Sequence, residues 1–128
     1  MSNVQRLPGA ALAIATAAAA LAAPALATDG VAIPASWKGG VAGGKAHRQI
    51  ELKIIGAGAL TFTNAYVAVY DGAKWYRFAD ITSSVAISDT LGFITLIDDC
   101  SAYDRICVVG TLSASSVTVV GTPHEIQP

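Results

Sequence analysis

Two histidines, a group of aspartates, two cysteines and one aromatic run are the residues of this chain that could do chemistry. His47 and His124 are its only histidines. With the many serines they supply parts of a hydrolytic triad, in which an imidazole accepts a hydroxyl proton and is oriented by a third group. No Gly-x-Ser-x-Gly elbow occurs, and neither histidine lies in a motif that would orient it. Both are expected to be polar surface groups, and no catalytic residue is assigned. The glycines between 39 and 44 lack the strand, the helix and the Gly-Lys-Ser/Thr ending of a phosphate-binding loop. No cofactor is implied.

Asp98, Asp99 and Asp104 place three carboxylates close together in sequence. Calcium is a hard cation that takes six to eight oxygens, and this spacing matches no calcium loop. Aspartates in a turn commonly bond the local backbone, which is the role expected here, and no metal site is assigned. Lys45, His47, Arg48 and Lys53 form a mildly basic patch suited to an acidic glycan or lipid headgroup, or simply to a solvated strand start.

Cys100 and Cys107 are separated by six residues. That spacing is not the redox C-x-x-C, and two thiols with two remote histidines make a poor zinc set. An even cysteine count in an exported chain favours a disulfide between them. The closed ring of about eight residues would contribute on the order of 2.5 kcal/mol by loop entropy.

The aromatic run extends from Tyr66 to Asp80 and reads as two strands joined at Asp71-Gly72, a strong hairpin signal. A loop of two or of four residues gives the same partition, because side chains alternate with period two. Val67, Val69, Tyr76 and Phe78 share the face expected to be core. Tyr66, Ala68, Tyr70, Trp75 and Arg77 share the other. Tyr66, Tyr70, Trp75 and Arg77 are the candidate binding residues. Flat rings stack on sugar C–H faces, arginine pairs with a ring or an acid, and the same residue types favour protein interfaces.

The elements that must position these groups begin after residue 27. Arg6 precedes an apolar, alanine-rich run from Ala10 to Ala23, and Ala25-Leu26-Ala27 carries small residues where signal peptidase requires them. The run is too short for a membrane span of roughly 20 residues, so a cleaved signal peptide over 1–27 and an exported protein are expected. Taking 27 from 128 leaves 101 residues, enough for one small domain. Arg6 is the leader's only charge, so seven basic and nine acidic residues remain, for a net −2. Nothing there suits nucleic acid, whose binders concentrate positive charge.

Residues 28–45 read as an extended glycine-rich arm, with Trp37 as a plug over one end of the core. Residues 46–122 form the domain. Ile50, Leu52 and Ile54 alternate with Glu51 and Lys53, which are expected to face water. Leu60–Thr63 reads as a short strand ended by a turn at Asn64, and Val85–Ile87 as another after a turn at Ile81–Ser84. Leu91–Ile97 is apolar on both faces, as in a central strand or an interface. Arg105–Leu112 and Val117–Val120 complete the set, and residues 123–128 read as a polar tail.

Seven to eight short strands with regular turns predict an all-β sandwich, immunoglobulin-like or jelly-roll-like. The function expected first is a non-enzymatic module that self-assembles or binds a protein partner in the periplasm or at the cell surface. A carbohydrate-binding module and a small secreted hydrolase, or an inhibitor of one, are the alternatives.

Overall fold

The computed structural model describes residues 3–6, 12–17, 21–38 and 47–127. Nine strands are present among them: β1 (Asn3–Arg6), β2 (Leu12–Ala17), β3 (Val31–Ala32), β4 (His47–Gly56), β5 (Leu60–Tyr70), β6 (Trp75–Ile87), β7 (Phe93–Asp98), β8 (Arg105–Leu112) and β9 (Val117–Gln127). All pairings are antiparallel. One sheet runs β1-β9-β4-β7, with β2 also paired to β9. The other runs β3-β8-β5-β6.

The period-two pattern builds the core between the sheets. Ile50, Leu52 and Ile54 of β4 stand opposite Pro123, Gly121 and Val119 of β9. They meet Phe62, Val67 and Val69 of β5 and Ile106 and Val108 of β8 in one buried cluster. Trp37 sits in a single 3-10 turn (Ala35–Lys38) and is fully buried in that cluster. It is therefore part of the core, buried as expected of a tryptophan in this segment. A Cβ on Gly121 would stand 3.1 Å from its ring, so β9 passes close beneath the indole there.

The hairpin loop holds four residues, 71–74, and Tyr70 pairs with Trp75. The Asp71 carboxylate makes the turn by accepting from the backbone N–H of Ala73 and of Lys74, both at 2.8 Å. These two bonds hold its pKa below the ordinary value. Gly72 takes φ 98°, which favours glycine.

Three expectations about strand limits change. Asn64 does not end a strand: at φ 51° it bulges β5, which continues unbroken from Leu60 to Tyr70. Likewise Ile81–Ser84 is not a turn, because β6 absorbs extra residues at Phe78 and Ile81 and runs on to Ile87. Finally, β9 extends past Val120 to Gln127, paired with β4 as far as His47.

Candidate functional site

The outer face of the β3-β8-β5-β6 sheet carries Tyr66, Ala68 and Tyr70 from β5, Trp75 and Arg77 from β6, and Arg105 and Cys107 from β8. Its inner counterparts Val67 and Val69 are buried. Tyr76 lies opposite Val69 on the inner side yet is 51% exposed, because β6 is the sheet's edge strand. Phe78 is the bulged residue, half-buried, its ring edge-on to Tyr103 at 5.8 Å.

That bulge arranges the site. Residues three apart on a regular strand point to opposite faces. The extra residue at Phe78 shifts the alternation, so Arg77 (opposite Ala68) and Asp80 (opposite Tyr66) both face outward. The Arg77 guanidinium then lies 4.2 Å from the centre of the Tyr66 ring. Its Nε and Nη2 donate to Asp80 Oδ1 at 3.0 and 2.7 Å. Beside them the bulges open a cavity of about 370 Å³ lined by Asn64, Tyr66, Arg77, Asp80, Ile81 and Thr82.

The other half of the aromatic strip is covered. Tyr70 and Trp75 pack at 5.3 Å with their rings tilted by 46°. Trp75 Nε1 donates to the Leu26 carbonyl at 2.9 Å. A Cβ on Gly30, which has φ 65°, would stand 3.1 Å from the Trp75 ring. Arg105 fastens this covering segment: Nε donates to the Asp29 carbonyl, and Nη2 to those of Thr28 and Gly30. The Asp29 carboxylate accepts from the N–H groups of Ala25 and Leu26 at 2.8 and 2.7 Å, which lowers its pKa. Sequence patterning offered no sign of this clamp, since it joins residues more than 70 apart.

The expected disulfide is absent: Cys100 and Cys107 are both free thiols. Their side chains are directed to different layers. Cys100 follows β7 and is fully buried within the core cluster. Cys107 sits on β8 between the inward-facing Ile106 and Val108, and so faces outward beside Ala68. Proximity in sequence does not bring them together across the sheet. Burial, and then the Asp99 charge, pushes the Cys100 thiol up to about 12; burial, and then Asp29, raises Cys107 as well.

The acidic and histidine groups are dispersed. Asp99 accepts from the N–H and Oγ of Ser101, while the Asp104 N–H bonds the Tyr70 carbonyl. No group of three His, Cys, Asp or Glu residues among the described residues could hold a metal ion. The side chain of His47, and Lys45 altogether, lie outside the described residues. His124, expected at the surface, is instead buried on the outer face of the other sheet, Nε2 3.5 Å from Glu51 Oε2, and Lys53 Nζ lies 3.7 Å from Glu51 Oε1. Glu51 therefore does not face water as its alternation suggested.

A second surface lies at the far edge of that sheet. β7 is its edge strand rather than a central one. Phe93 and Ile97 turn inward, while Ile94 (59% exposed) and Leu96 (48%) point out, opposite Lys53 and Glu51. Ile55 (49%) and Leu91 (68%) extend the apolar surface. A Cβ on Gly92 would lie 3.0 Å from Ile55 Cγ1, so the loop before β7 rests on β4. No helix among the described residues is long and apolar enough to cross a membrane. Comparison with family models, curated proteins and solved structures finds no match to the chain.

Proposed function

We propose that the chain is an exported, non-enzymatic β-sandwich module, immunoglobulin-like or jelly-roll-like, that associates with itself or a protein partner. One observation carries this reading: Ile55, Leu91, Ile94 and Leu96 stand exposed together along the β4–β7 margin. Large apolar side chains grouped on the exposed face at a sheet edge mark interaction surfaces. Export is supported by the apolar run and the small residues at Ala25 and Ala27. Light scattering on the exported protein tests the reading. An assembly larger than one chain, whose mass falls with Ile94→Lys/Leu96→Lys, supports it. A mass unchanged by that substitution sinks the β7 surface.

Glycan binding is the second reading. It rests on the cavity beside Tyr66, where Arg77 could hold an acidic sugar. A glycan array containing uronic and sialic acids tests it, with Arg77→Ala as the control.

A further inference from the structure

Residues 12–17 lie within the apolar run of the signal peptide expected over 1–27, and they form a strand of the folded sheet. In the structure β2 lies antiparallel along β9, Leu12 opposite Gly121 and Ala17 opposite Val117. Ile14 is buried, its Cδ1 2.8 Å from where a Cβ on Gly121 would stand. Further on, Leu21 exchanges both backbone hydrogen bonds with Gly110 of β8, at 2.9 and 3.0 Å. The leader thus occupies the β9 edge and then reaches the second sheet.

Hydrolysis of the Ala27–Thr28 peptide bond would release that strand, leaving the outer N–H and C=O groups of β9 without partners. Edge strands of monomers are ordinarily blunted by charge, proline or a bulge. Residues 117–122 (Val-Thr-Val-Val-Gly-Thr) have no charge and no proline, and they pair with β4 without a break. The occupant seen in the structure is antiparallel, uncharged and made of small or apolar residues. β9 has the same character, and pairing with its own copy is antiparallel by symmetry.

We propose that the β9 edge is a self-association site, held shut by residues 12–17 before processing and filled afterwards by β9 of a second copy. This rests on the reading of an exported, self-associating chain given above, and it places the contact at β9 instead of at the β7 surface. The contact closes around a two-fold axis, so it yields a dimer rather than a filament. Keeping the inward faces of both copies on one side places Val119 opposite its own copy and Val117 opposite Gly121. Thr118 is then opposite Val120 on the outer face, where Thr118 is exposed and Val120 half-buried.

The test uses the full chain expressed with export, with native mass spectrometry reading processed mass and oligomeric state together. The processed protein is expected as a dimer, and a full chain carrying Ala25→Arg/Ala27→Arg, which blocks processing, as a monomer. Thr118→Lys/Val120→Lys opposes lysines across the axis and should weaken the dimer on the order of tenfold or more. Thr118→Lys/Val120→Glu places opposite charges there and should restore it. Circular dichroism of each variant checks that the sheets form. A processed monomer overturns the proposal, as does a dimer indifferent to both pairs of substitutions or a blocked chain that dimerises equally. Loss of the dimer with Ile94→Lys/Leu96→Lys alone moves association to β7, overturning the β9 edge and leaving the proposed function standing. A retained leader on the exported protein removes the reading beneath both.

Discussion

The indole N–H of Trp75 donates to the carbonyl oxygen of Leu26 at 2.9 Å, one residue before the bond at which the leader is expected to be cut. The most conspicuous aromatic residue of the hairpin is therefore tied to the segment expected to be a leader. Cutting after Ala27 would take its acceptor away.

Trp75→Phe keeps most of the ring area and deletes the donor. In the unprocessed chain it should cost about 0.5–1.5 kcal/mol, the net worth of one ordinary hydrogen bond. In the processed protein the cost should be smaller. Urea melts of the two forms make the comparison, and an equal cost in both would mean that Trp75 finds another acceptor.

Phe62 is the aromatic anchor of the core. It is fully buried, and a Cβ on Gly110 would stand 2.4 Å from its ring. Phe62→Ala should cost about 3–5 kcal/mol, and Phe78→Ala, at a half-buried bulge, clearly less. Gly110→Ala should also destabilise, because the ring has to move. Denaturant melts rank the three, and a larger loss for Phe78→Ala would contradict the packing.

Two free thiols should be titrated per chain after unfolding without reductant. In the native protein Cys107, half-buried on the outer face, should react before Cys100. The pH dependence follows from the direction of the Cys100 shift. A thiol that ionises near 9 when unfolded and near 12 when folded binds its proton more tightly in the fold. Stability is unaffected below pH 9, falls as pH rises from 9 towards 12, and stays lowered above that. Cys100→Ala should flatten this alkaline slope in melts recorded across the range, even though the cavity lowers stability at every pH.

Arg77→Ala should change stability by less than about 1 kcal/mol. Its partner Asp80 is largely exposed, and surface pairs contribute little. A thermal melt checks this. A large loss would make the Tyr66–Arg77–Asp80 group a structural element rather than a candidate binding site.

The fold class was legible because it rests on alternation. Ile50, Leu52 and Ile54 declare their face, and Asp71-Gly72 declares its turn. Leu91–Ile97 declared two apolar faces, but a pattern cannot say whether a neighbour covers the second one. Asn64 and the residues around Ile81 look like turn residues, and only the partner strand reveals that they are bulges within long strands. The candidate site depends on those bulges, so its geometry was hidden while its members were visible. Cys100 and Cys107 misled for a related reason: nearness along the chain says nothing about which layer each side chain enters.

The Arg105 clamp has a consequence for lifetime. An aminopeptidase must draw an extended, unbonded segment into its cleft, several residues at a time. In a chain beginning at Thr28, the carbonyls of the first three residues are all engaged by one guanidinium. Trimming from that end should stall at once, so a chain cut there should resist exopeptidase digestion until the clamp opens. Arg105→Ala should expose the terminus to stepwise shortening, visible as a ladder of masses.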